Sequence, residues 1–219
     1  MPAAYAPLFA HDPQLLTSHR GWDAGAAQLA RRFARRLRAP LIEGRCSRLL
    51  VDLNRSERHP RLFSEGSRAL PAHERAALLD RFHREHRAAV EAAIAGALLT
   101  AARVVHLSVH SFTPHWDGRA RPTQLGLLDD PHRPRERALS RAWRAELLTR
   151  EPQLRVHLNR PYRGWTDGLV SLLRRRHPAS RYLGFELEFN QAHLAAAPAW
   201  VDTLCATMSE LRAEASGSR

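Results

Sequence analysis

Lysine is missing from this chain altogether: all 34 basic residues are arginines, and they leave a formal charge of +12. A basic balance of that size invites a nucleic-acid partner. However, the arginines are spread over several helical segments, often beside glutamate, and form no single patch interleaved with aromatics. Choosing Arg without exception also fits a GC-rich coding bias. Solvated faces are the expectation, with no nucleic-acid partner. Cysteine is scarce as well. Two of them, Cys46 and Cys205, cannot build a disulfide framework, so a cytoplasmic protein is expected. No apolar run approaches the roughly 20 residues of a membrane span, and the first residues lack the basic start and apolar core of a signal peptide. There is no phosphate-cradling glycine loop, no internal repeat and no low-complexity block.

What is present is enough for one globular domain. The 219 residues are 44% hydrophobic, which suffices for a sizeable core. The most informative stretch is Tyr182 to Gln191, where aromatic and aliphatic residues alternate with polar ones. Period two puts Leu183, Phe185, Leu187 and Phe189 on one face and Gly184, Glu186, Glu188 and Asn190 on the other. Two carboxylates on one face of an apolar strand leave two readings. Either this is an edge strand with a wet face, or a carboxylate is presented to a metal-bound water.

Elsewhere, Trp22 to Leu37 has helical spacing, with Asp23 near its start, where the helix dipole favours an acid. Pro40–Gly44 and Arg48–Leu53 read as short strands, and Pro71 to Leu99 as one long Ala-rich helix. A β-branched strand from Arg103 to Val109 runs into His110. Helices follow at Glu136–Arg150, Thr166–Arg176 and about Pro198–Ala213, with a strand at Leu154–Leu158. Alternating strands and helices imply an α/β fold, three α/β/α layers around a mixed, largely parallel sheet. Ligands bind at strand carboxyl ends in such sheets.

Four polar clusters sit at strand ends: Asp52–Ser56, His110–Pro114, Asn159–Gly164 and Glu186–Gln191. A His, one or two Glu and several Arg at one sheet edge suit metal-assisted hydrolysis of an anionic substrate. His83 and His86 lie three apart, but no Glu completes a metalloprotease helix motif, and their Arg-rich surroundings read as solvated. Ser111 lacks a glycine-flanked elbow. The cysteines have no nearby His and read as small buried residues.

Taken together, Ser18 to Gly25, Ser47 to Ser56, His110-Ser-Phe112, Asn159 to Gly164, Asp167-Gly168 and Glu186 to Gln191 resemble the N-formylglutamate amidohydrolase family. That family is related to the zinc carboxypeptidases and aspartoacylases. The resemblance implies a zinc-carboxypeptidase-like fold and a zinc-dependent hydrolase that cleaves a linear amide of a small acidic N-acyl amino acid. His110 matches the strand-end zinc ligand, and Asp23 or His19 falls where an early ligand is expected. Glu188 best matches the general base, with Glu186 its neighbour. Arg55, beside Asn54, and Arg163 match positions suited to gripping a substrate carboxylate. Similar members begin with a strand ending in Glu-His-Gly-Gly-Asn, whereas this chain opens at Met1-Pro2. An N-terminally truncated domain with an incomplete metal site is therefore expected. The alternative function is a non-catalytic binding protein that keeps the scaffold.

Overall fold

The computed structural model describes residues 2–217, with side chains to 210. A 3-10 helix, Ala3–Phe9, and a short helix, α1 (Gln14–Thr17), open the chain, followed by α2 (Ala26–Leu37), α3 (Glu65–Arg68) and α4 (Ala72–Leu78). A π-helical stretch, Leu79–Arg84, joins α4 to α5 (Glu85–Thr100). Next come β1 (Val104–Phe112), β2 (His115–Trp116), β3 (Arg119–Ala120), β4 (Leu125–Leu128) and α6 (Pro134–Arg150). The chain ends with β5 (Val156–Leu158), α7 (Leu169–Arg176), β6 (Tyr182–Asn190), a 3-10 turn at Gln191–His193 and α8 (Ala197–Gly217). These elements form two compact units. One comprises Met1–Asp23, Ile42–Val104 and Thr166–Arg181; the other comprises Ala24–Leu41, Val105–Trp165 and Tyr182–Arg219.

The second unit holds a mixed sheet in the order β1-β6-β4-β5, flanked by helices. β4 runs parallel to β5 and antiparallel to β6. His106 meets Tyr182 near the start of β1 and β6, and Gln191 meets Ser111 at their ends, so these two run side by side in one direction. β6 is therefore interior, and all nine of its residues are buried. The edge-strand reading fails for that reason. Its odd-numbered side chains join the core with Trp143, Trp200 and Leu204; Phe185 meets Trp143 edge to face at 4.8 Å. Burying each such side chain contributes about 1.5–3 kcal/mol. Glu136 is fully buried in the first turn of α6, where the dipole favours an acid. Its two oxygens accept from Gly184 N at 3.0 Å and Asp130 N at 3.2 Å, tying α6 to β6.

β4 went unread in the sequence, because four residues broken by a glycine carry little periodicity. Gly126 lies opposite Glu188. A Cβ there would collide with the carbonyl oxygen of Arg160 and crowd the Glu188 Cβ at 3.2 Å. The backbone after β5 folds back over the sheet at this point. Asn159 makes the reversal in the left-handed region, at φ 55°. Its side chain accepts from Asp129 N and Gly164 N and donates to Asp129 Oδ1 at 2.8 Å.

The first unit is mostly helical. Residues 40–53 carry no strand. The apolar run Leu49-Leu50-Val51 is buried as turns, through bonds such as Asp52 N to Leu62 O at 2.8 Å. An apolar run of that length marks burial, not strand geometry. The expected long helix is present from Ala72 to Thr100, but with a π-helical middle. Its buried positions are Leu78, His83, Arg87, Val90 and Ile94. The step from Leu78 to His83 is the wide one, as a π turn requires.

Two measurements probe this packing. Gly126→Ala is expected to destabilise by about 2 kcal/mol or more, because backbone cannot yield as a side chain can; denaturant unfolding measures it. Within the second unit, Arg36 and Arg32 of α2 bind Asp202 of α8, with Arg32 Nη2 at 2.5 Å and Arg36 Nε at 3.0 Å. They hold its carboxyl below the usual range. A depressed folded pKa stabilises above the unfolded value near pH 4 and is lost as pH falls through the folded one. Asp202→Asn should therefore lose about 1 kcal/mol at neutral pH, and the gap to wild type should close below about pH 4. Thermal melts across pH check this.

Candidate functional site

The polar face of β6 is the candidate site. Tyr182, Glu186, Glu188 and Asn190 share it by strand period, and Glu186, Glu188 and Asn190 are 9%, 6% and 2% exposed. Because His106 touches Tyr182, the even-numbered residues of β1 lie on the same face. His110 is therefore on that face, near the strand ends where Glu188 also sits, with its Nε2 2.9 Å from Ser108 Oγ. The structure thus brings His110, Glu186 and Glu188 onto one face. Ser111 points the other way in the strand period. Its hydroxyl donates to Ala24 O at 2.7 Å and accepts from Gln191, which is a structural tie and not a nucleophile's setting.

His157 pairs with Gly126 in the parallel β4–β5 register and so is level with Glu188 across the sheet. Burial, then the charges of Arg160, Arg144 and Arg155, lowers its pKa, and its Nδ1 lies 2.8 Å from Thr123 Oγ1. β4 and β5 run against β6, so the carboxyl end of β5 points away from that of β6. Residues 159–164 reach the polar face only by doubling back over Gly126. Arg163, carried on that segment, has its guanidinium over the Trp165 ring at 5.8 Å.

A residue that sequence reasoning missed stands beside this face. Arg121 places its guanidinium over Phe112 at 5.5 Å, Trp116 at 5.0 Å and Tyr162 at 5.3 Å. Trp116 arrives on the β2–β3 hairpin, whose Asp117 and Gly118 both have positive φ, 48° and 72°. Asp-Gly between paired strands is the sequence signal for that turn, and it could have located the hairpin. Asn190 of β6 donates to Thr123 O at 2.8 Å and to Arg121 O at 3.4 Å, which ties the segment to the end of β6.

The remaining candidates belong to the first unit. Asp23 is paired with Arg48 at 2.8 Å, and His19 is exposed. Asn54 Oδ1 accepts from Leu169 N at 2.8 Å, and Arg55 donates to Asp167 O at 3.3 Å with its Nε 3.9 Å from Asp52. The carbonyl of Arg55 is held by Arg87 at 2.6 Å and by His83 Nε2 at 2.8 Å, and Arg87 also reaches the carbonyls of Asn54 and Leu53. His83 is wholly buried, contrary to the solvated expectation, and burial lowers its pKa. A carbonyl only accepts, so Nε2 carries the proton. The flanking arginines hid this: Arg84 faces outward to Glu57 and Asp80, while Arg87 turns inward.

Burial pushes the Cys46 thiol up to about 12 and that of Cys205 to about 11, so neither is a ready thiolate. Among the described residues, no three His, Cys, Asp or Glu side chains gather as a metal-holding group. Three protein ligands are usual for catalytic zinc, so the described donors do not fit a complete zinc site. No helix among the described residues is long and apolar enough to cross a membrane.

No curated protein matches the chain. Among solved structures, the Agrobacterium tumefaciens gene product Atu2144 is similar over 97% of this chain and 87% of its own, at 26% identity and a TM-score of 0.80. The N-formylglutamate amidohydrolase of Ralstonia eutropha JMP134 shares the fold over 75% of this chain and 73% of its own, at 21% identity and a TM-score of 0.59. The sequence profile of N-formylglutamate amidohydrolase matches residues 1–195. With nine-tenths of its length inside that profile and the sheet to match, the chain belongs to the N-formylglutamate amidohydrolase family.

Proposed function

We propose that this chain hydrolyses the linear amide of a small acidic N-acyl amino acid of the N-formylglutamate type, with Glu188 as general base. The observation that supports it most is the placement of Glu188. It is 6% exposed, on one face with His110, opposite a glycine and under the backbone of Arg160. Water held there gives a proton to Glu188 as its oxygen bonds to the acyl carbon. The C–N bond then breaks, and the same proton passes to the leaving amine nitrogen. The products are a carboxylic acid, formate for a formyl group, and the free amino acid. A positioned base of this kind contributes roughly a hundredfold or more to the chemical step. Glu186 is the second carboxylate of the face. Arg55, Asn54 and Arg163 are the sequence's nominees for the acid end of the substrate.

Zinc remains part of the proposal as an ion that His110 would ligate; bound there, it would polarise the acyl oxygen. Asp23 and His19, the other nominees, belong to the first unit. The proton path above runs on Glu188 alone.

Glu188→Gln is expected to lower kcat on N-formylglutamate by about a hundredfold or more, with the thermal midpoint little changed. Near-normal turnover would remove the base assignment, and the same loss in Glu186→Gln alone would transfer it. For zinc, metal per chain after dialysis should be lower in His110→Ala than in wild type; equal content in both would take His110 out of the metal role.

A further inference from the structure

The guanidinium of Arg121 is built into place and left without an acid. Three rings from separate segments converge on it: Phe112 from the end of β1, Trp116 from the hairpin and Tyr162 from the segment folded over Gly126. Aromatic faces hold an arginine by cation–π attraction without using its N–H donors. Of those donors, only Nη1 has an acceptor among the described side chains and backbone, the Tyr162 hydroxyl at 3.1 Å. No Asp or Glu of the described residues pairs with it. In this it differs from Arg55, which donates to the backbone carbonyl of Asp167 and has the Asp52 carboxylate 3.9 Å from its Nε. A charged fork set among three rings, with all but one of its donors unspent, is prepared for a planar acid, which guanidinium meets with two parallel bonds.

Its location agrees. Phe112 is two residues beyond His110, and the Arg121 carbonyl is bound by Asn190, two residues beyond Glu188 and on the same face of β6. The hairpin ends at Ala120, so the Asp-Gly turn that projects Trp116 also sets where Arg121 leaves the strand.

We infer that Arg121 is the residue that binds the substrate's carboxylate and sets the preference for acids over neutral amides. This rests on the amide-hydrolase reading above and deepens it. Arg121 touches the part of the substrate that does not react, so its loss should appear in KM more than in kcat.

The test pairs N-formylglutamate with its neutral diamide. In turnover, Arg121→Gln and Arg121→Lys are expected to raise KM for the acid by about tenfold or more, since lysine keeps the charge and loses the fork, and to change the diamide by less than about twofold. Tyr162→Phe, which removes one hydrogen bond, should give a smaller shift in the same direction. Calorimetric binding of N-formylglutamate and of succinate to Glu188→Gln protein, with and without Arg121→Lys, reads the site without catalysis. Equal effects on acid and diamide, or carboxylate binding indifferent to Arg121, would overturn the assignment, as would the absence of any carboxylate binding. Arg121-dependent binding in a chain that hydrolyses neither substrate would leave the assignment standing and overturn the hydrolase reading instead.

Discussion

An interior strand must satisfy two faces at once, and β6 does so with opposite chemistries. One face is filled by Leu183, Phe185, Leu187 and Phe189 against helix side chains, the other by carboxylates that cannot be left in an apolar layer. Much of the second unit follows from that conflict. A neighbouring strand contributes a residue with no side chain at Gly126, a chain reversal brings backbone carbonyl over the gap, and β1 supplies imidazole and hydroxyl groups in place of aliphatic ones. The polar face is enclosed without being made apolar.

The first unit meets a different demand. Residues 52–56 form no ladder, so their carbonyls need partners from elsewhere. Arg87, 8% exposed, spans three consecutive carbonyls, and His83 supports the last of them. A cation can be buried there because several oxygens share its charge, although burial still lowers its pKa. The Asn54–Arg55 segment is thus rigid for reasons that lie about 30 residues further along the chain.

Legibility in the sequence followed pattern length. Nine alternating residues announced β6, the apolar spacing of Ala26, Leu29, Ala30, Phe33 and Leu37 announced the helix at 26–37, and an Ala-rich run announced the one at 72–100. Four residues could not announce β4, and Leu49-Leu50-Val51 looked like a strand because burial and extension leave the same mark in a short run. His83 was misjudged because charged neighbours such as Arg81, Arg84 and Glu85 describe the outer side of a helix and say nothing of its inner one. The site divided in the same way. Glu188, Glu186 and His110 were visible as polar residues late in apolar strands. Arg121 was not, since it became distinctive only when the Tyr162 ring, 41 residues on, closed over it beside Phe112 and Trp116.

The π turn between α4 and α5 has a consequence for how this chain tolerates change in length. The inward-facing residues of Ala72–Thr100 are spaced five, four, three and four apart, and only the first interval exceeds what an ordinary α-helix uses. That interval, between Leu78 and His83, therefore contains one residue of slack. Removing a residue there would let the helix run straight through with Leu78, the imidazole and the guanidinium still inward, whereas a deletion between His83 and Arg87 would turn one of the two away from the carbonyl they share. Chains built on this scaffold can differ by one residue in that interval and keep the same interior.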